Sequence, residues 1–245
     1  MRPSDPIFNF RHGDHTCVFY WDLDGLSEIL TPYIFEGLRR NERCFCAQKP
    51  ETLKALCDDL RFLGVNVEKE QRRGALELHT TNEVYFHDMR FEPDALMDLL
   101  ERSIEESVRS GFSAFRTAGE LSWAVEGRDE CDRLVAYEQK VQASYPGKPA
   151  VGMCMYPIRS FEKPVLDRVV AAHNKVVRSG QQGSSTASLH IHWPERKAEI
   201  VTNKSVRSPY HYVVEGQGGE ILSWGKSADF DGALKLAEGP ALKRE

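Results

Sequence analysis

His12, His15 and Cys17 near the start of the chain follow an H-x-x-H-x-C spacing, and their side chains suit zinc or another metal of borderline softness. Strand alternation would turn His15 and Cys17 to the same face. A complete site would still need a donor from far along the chain, for example Cys154 or His173. A hydrogen-bonded histidine at a strand start and a cysteine packed in the core explain the same residues with fewer demands. The expectation is therefore no metal, with His12, His15 and Cys17 as the residues to watch.

A second constellation lies in Arg116-Thr117-Ala118-Gly119-Glu120-Leu121-Ser122-Trp123, after the strand expected over Phe112 to Arg116. Ligands of open α/β sheets bind in the crevice beyond the carboxyl ends of the strands. Arg116, Glu120 and Trp123 would thus combine a polar end with an apolar wall, as small-molecule sites do. Tyr20, Trp21 and Tyr156, also at expected strand ends, would complete the aromatic lining. The alternative for Arg116 and Glu120 is an ion pair that holds the loop. No catalytic residue is assigned. His79 and His87 flank a Tyr85-Phe86 loop without a nucleophile beside them, and there is no G-x-S-x-G. His190 and His192 share a strand face, which an ordinary polar face explains.

The elements that must carry these residues alternate from His15 to about Val177, strand then helix, as in βαβ units around a largely parallel sheet. Leu26, Ile29, Leu30, Tyr33, Ile34 and Leu38 form one helical stripe, with Asp24 as expected N-cap. The next helix opens at Pro50, carries Leu53, Leu56, Leu60 and Leu63, and stops at Gly64. Others are expected around Leu96 to Val108, Asp129 to Ala143 and Phe161 to Val177. Arg43 to Ala47, Leu76 to His79 and Ala150 to Tyr156 read as strands, the last apolar enough to be central.

The first strand–helix junction is where a nucleotide-binding protein of this pattern carries its glycine-rich loop. Here it holds only Trp21-Asp22-Leu23. A phosphate cradle needs glycines to turn backbone N–H groups inward and a lysine to meet the phosphates. Apolar bulk stands there instead, which argues against a triphosphate.

The 245 residues carry a net charge of −5, which counts against direct nucleic-acid binding, and no apolar run approaches the roughly 18 residues of a membrane span. The opening residues lack an export signal, so a cytoplasmic location is expected. The six cysteines show no C-x-x-C and read as buried hydrophobes. Composition shifts at Arg178 to Thr186, dividing the expected domains into 1–178, a linker 179–187, and a β-rich module 188–245. That module would hold two hairpins, around Pro194 to Lys197 and Gln217 to Gly219, and a short helix through Ala233 to Leu236.

Taken together, His15-Thr16-Cys17-Val18-Phe19-Tyr20, Arg116 with Glu120 to Trp123, Tyr137-Glu138, and Cys154-Met155-Tyr156 followed by Phe161 and His173 resemble the MEDS family, the methanogen/methylotroph sensory domain of the dichloromethane-regulator type. The likeness covers roughly His12 to Val177. It implies a RecA/KaiC-like α/β fold without a phosphate loop, serving as a sensor of small hydrocarbon derivatives. Pro157 stands where the family often has an acidic residue. The expected function is a non-enzymatic cytoplasmic sensor. It would bind a small, partly apolar ligand through Tyr20, Trp21, Arg116, Glu120, Trp123 and Tyr156, with Thr117 to Arg128 as the moving segment. Its signal would pass to a regulatory protein partner. No cofactor is assigned, and a homo-oligomer is expected by analogy. The competing expectation is an interaction module with a vestigial pocket, whose tail, with Trp193, Tyr210, Tyr212 and Trp224, recruits a kinase or transcription regulator.

Overall fold

A computed structural model describes residues 10–86, 90–126 and 128–178, together with the backbone of four strands within 186–227. In chain order the elements are β1 (His15–Tyr20), α1 (Leu23–Arg39), β2 (Arg43–Gln48), α2 (Pro50–Phe62), α3 (Val67–Arg72), β3 (Leu76–Thr80), α4 (Thr81–Tyr85) and α5 (Pro93–Arg109). There follow β4 (Phe115–Glu120), a 3-10 turn (Ser122–Glu126), α6 (Arg128–Ser144), β5 (Ala150–Pro157), α7 (Lys163–Ala171) and β6 (Lys175–Arg178). Four further strands are β7 (Thr186–His192), β8 (Arg196–Asn203), β9 (Tyr210–Gly216) and β10 (Ile221–Ser227).

The strands form one sheet in the order β10-β9-β8-β7-β6-β1-β5-β4-β2-β3. From β6 to β3 every pairing is parallel, the α/β architecture that the strand–helix alternation predicts. β7 joins β6 antiparallel, and β8, β9 and β10 continue antiparallel. The β-rich tail thus extends the same sheet. Both expected hairpin pairings are present, β7 with β8 and β9 with β10, while the short helix at Ala233 to Leu236, Trp193 and His87 lie outside the described residues.

Period-two alternation divides the sheet into two packed faces. Val18 and Tyr20 of β1, Cys44 and Cys46 of β2, and Val151, Met153 and Met155 of β5 pack under the α1–α2 side. Leu26, Ile29, Leu30, Tyr33 and Ile34 of α1 are at most 1% exposed, each burial favouring the fold by about 1.5–3 kcal/mol. That is enough to retain Pro32 inside α1, where a lost backbone bond costs about 3 kcal/mol. The opposite residues, Cys17, Phe19, Phe115 and Tyr156, pack with residues of α5, α6 and α7.

Three local expectations are corrected. The N-cap of α1 is Asp22, not Asp24; its Oδ1 accepts from Gly25 N at 2.9 Å. The strand placed over Phe112 to Arg116 is Phe115–Glu120, because hydrogen bonding to β2 and β5 on both sides carries Thr117 and Gly119 into the sheet despite their loop-like composition. The helix placed over Phe161 to Val177 stops at Ala171. The β-branched pair Val176-Val177 then joins the open edge of β1 as β6. Among the described residues, no helix is long and apolar enough to cross a membrane.

Candidate functional site

Four side chains from four separate segments meet under α6. His15 opens β1, Cys154 lies on β5 beside it, Glu138 projects from α6, and His173 sits in the turn between α7 and β6. Their donor atoms all lie within 4.8 Å of one another. Glu138 Oε2 is 3.0 Å from His15 Nε2, 3.4 Å from His173 Nε2 and 3.3 Å from Cys154 Sγ, and Cys154 Sγ is 3.4 Å from His15 Nε2. The side chains of His15, Glu138 and His173 are wholly buried.

Neighbouring groups fix each member. The imidazoles of His15 and His173 stack at 4.0 Å. Asn174 Oδ1 accepts from His15 N at 3.0 Å, and Asn174 N donates to Gln142 Oε1, one turn beyond Glu138 on α6. His173 Nδ1 lies 2.7 Å from the Val169 carbonyl, which can only accept, so Nδ1 carries the proton and Nε2 is left facing Glu138. Tyr156 donates its hydroxyl to Glu138 Oε1 at 2.7 Å. Burial pushes the Glu138 carboxyl upward, but His173 and His15 beside it outweigh burial and hold it well below the usual carboxylate range. Burial, reinforced by the Glu138 charge, raises the Cys154 thiol well above its ordinary value. His15 is lowered by burial and then by His173, against the pull of Glu138.

His15, Glu138 and Cys154 also form the polar end of a cavity of about 60 Å³ between the sheet and α4, α5 and α6. Leu96, Leu100, Phe115, Val141 and Tyr145 are among its walls, and Leu99 and Ser103 on α5 also line it. A water needs about 10–15 Å³ of such space, so the cavity takes a group of only a few heavy atoms. Two glycines make room beside it. A Cβ at Gly152 would press on the Tyr145 ring at 2.8 Å, and one at Gly119 would overlap the Tyr85 hydroxyl.

This region coincides with a match to a family model, described as the methanogen/methylotroph, DcmR sensory domain (MEDS), over residues 14–174. The chain belongs to the MEDS family. The matched span includes all four clustered residues and ends one residue past His173. No curated protein matches the chain. Among solved structures, the flagellar accessory protein FlaH from Methanocaldococcus jannaschii aligns at 13% identity and a TM-score of 0.48, covering 90% of this chain and 92% of that one. The KaiC-like protein PH0186 from Pyrococcus horikoshii OT3 aligns at 10% identity and 0.48, covering 87% and 91%.

Within this MEDS domain none of the six residues expected to line one crevice lines the cavity, and of the six the structure brings Tyr20 and Glu120 into direct contact. Arg116 falls near the start of β4 instead of its end, and its fully buried Nε pairs with Glu42. Its guanidinium lies 4.3 Å from the centre of the Tyr33 ring, and Gly37 leaves the space it passes through. Glu120 does end β4, but it accepts from Tyr20 Oη at 2.8 Å and from Ser122 N and Oγ at 3.0 Å. Trp21 stacks under the Arg159 guanidinium at 5.1 Å. Trp123 packs with Tyr85, Phe86 and Phe91, behind the cavity wall. Tyr156 touches the cluster through Glu138. The moving segment expected over Thr117 to Arg128 begins inside a central strand, so its first four residues are fixed by β2 and β5.

The H-x-x-H-x-C run does not assemble either. His12 is half exposed and 3.5 Å from Glu42, and Cys17 is packed in the core. Only His15 enters the cluster, where Cys154 and His173 supply the distant donors. Glu138 was not among the site residues expected from sequence. Its signal is a carboxylate within the apolar spacing Leu134, Val135 and Val141 of α6.

Proposed function

We propose that this MEDS domain is a non-enzymatic sensor. A small, partly apolar molecule such as a short hydrocarbon derivative occupies the cavity under α5 and α6 and meets the His15, Glu138 and Cys154 side chains. The observation that carries this reading is the cavity itself: apolar walls, one polar end, and room for a few heavy atoms. Membership of a family described as a sensory domain supports a signalling role. A ligand shifts a conformation only through unequal affinity for two states. Helix α5, which contributes Leu96, Leu99, Leu100 and Ser103 to the lining, is the element an occupant would bias, and a regulatory protein partner would read its position.

The test is an NMR titration of the full chain with short halocarbons, alcohols and ketones, beside the Ser103→Phe variant, which fills the cavity from α5. Shift changes at Tyr85, Thr117 and Tyr145 that disappear in Ser103→Phe are the expected result. Changes centred on Tyr20, Trp21 and Glu120 would return the ligand to the strand-end crevice and overturn the assignment to this cavity.

A further inference from the structure

We propose that His15, Glu138, Cys154 and His173 bind one divalent transition-metal ion of zinc-like preference at the inner end of the cavity. The site stands on its own donors and does not depend on the sensor reading.

Three observations carry it. The first is size. A tetrahedral zinc with bonds of about 2.0–2.1 Å to nitrogen or oxygen and 2.3 Å to sulfur separates its ligand atoms by about 3.3–3.6 Å. Four of the six donor separations, 3.0, 3.4, 3.3 and 3.4 Å, lie within a few tenths of an ångström of that figure, and the two that involve His173 with His15 and with Cys154 are within 4.8 Å. The second is direction. His173 Nε2 is buried and has no hydrogen-bond partner among the described residues, yet it faces Glu138 Oε2. Two buried lone pairs pointed at one another are relieved by a cation or a second proton between them. The Nδ1–H bond to the Val169 carbonyl is the support that metal-bound histidines ordinarily have, and the Tyr156 hydroxyl on Glu138 Oε1 leaves Oε2 as the free donor.

The third is charge. Thiolate and carboxylate with two neutral imidazoles carry two negative charges, which a divalent ion cancels in a place where uncompensated charge is costly. Thiolate and imidazole together favour zinc-like ions over magnesium or calcium. Metal entry would displace the thiol proton, since cysteine binds as thiolate. His15, Glu138 and Cys154 also line the cavity, so an occupant would lie against the ion's own ligands.

The experiment uses the tag-free full chain, reduced and stripped with a chelator, then titrated with Co²⁺ as the probe. The expected result is one cobalt per chain, visible bands of tetrahedral intensity and a near-ultraviolet thiolate-to-cobalt band, all displaced by Zn²⁺. Cys154→Ser should lose the thiolate band, His173→Gln should weaken affinity at least about tenfold, and Cys57→Ser, on α2, should change neither. Absence of stoichiometric cobalt, or a thiolate band that survives Cys154→Ser, overturns the proposal. Where a variant does not fold, zinc-edge X-ray absorption of the wild-type protein decides: one sulfur with nitrogen and oxygen ligands supports the site, and a shell without sulfur refutes it.

Discussion

Arg116→Met separates the roles that sequence and structure give this arginine. As a ligand contact, its loss would remove binding and spare the fold. The structure places it instead wholly buried against Glu42, with the guanidinium over Tyr33. Methionine keeps much of the stem that runs past Gly37 but leaves Glu42 as a buried carboxylate without its guanidinium, with only the half-exposed His12 ring near it. Breaking a buried pair on one side costs about 3–5 kcal/mol. For a chain of this size each kcal/mol moves the melting temperature by about 2–4 °C, so the variant should melt roughly 6–20 °C lower. The pair is imperfectly satisfied, however: Arg116 Nη1 and Nη2 and Glu42 Oε1 have no hydrogen-bond partner among the described residues. Removing both charges in Arg116→Met/Glu42→Leu should therefore recover most of the loss, since an apolar replacement of a poorly satisfied buried pair is often neutral or stabilising. Guanidinium unfolding followed by circular dichroism measures both. A single variant within about 1 kcal/mol of wild type, or a double variant no better than the single, would refute the argument.

Other perturbations address the remaining junctions. Asp22→Ala removes the cap of α1 and should cost about 1 kcal/mol in the same unfolding assay. Gly119→Ala drives a methyl into Tyr85 and should destabilise by about 1–3 kcal/mol, with altered fluorescence as Tyr85 shifts against Trp123. Burial, joined by Glu120, raises the Tyr20 phenol, and burial raises that of Tyr33. Because both folded values lie above the unfolded value of about 10, their contribution is intact below pH 10 and falls as the pH rises further. An alkaline titration should show phenolate absorbance for these two only on unfolding; smooth ionisation of Tyr20 or Tyr33 in the native protein would contradict their placement.

The helices with apolar stripes and terminal punctuation were legible in the chain. Pro50 and Gly64 bracket α2 as expected, and α5 stops before Gly111, whose φ is +87°. Central strand β4 was displaced by three residues at its start because its identity rests on two parallel neighbours rather than on Thr117, Gly119 or Glu120. That shift had a functional consequence. It moved Arg116 from a strand end to a strand start and put Arg116 and Glu120 on the face opposite Thr117 and Gly119, which line the cavity. The cluster was only partly legible for a similar reason. His15, Cys154 and His173 are recognisable as donor types, but their meeting depends on β6 pairing with β1, and the apolar spacing of β6 continues that of helix α7.

The strand-end crevice and the cavity differ in what their polar groups have left to offer. At the crevice, Asp22 occupies the Gly25 amide at the N-terminus of α1, and Glu120 is held by Tyr20 and Ser122. Those groups satisfy one another, so an anionic ligand would meet a carboxylate where a phosphate loop presents amides. On the other face, His173 Nε2 is unpartnered among the described residues, and two imidazole nitrogens and the Cys154 sulfur lie within 3.4 Å of one oxygen of the carboxylate it faces. Glycines at 119 and 152 bring Tyr85 and Tyr145 down onto the sheet beside that group. Unspent binding capacity therefore lies at mid-sheet under α6, although the strand pattern alone directs attention to the carboxyl ends.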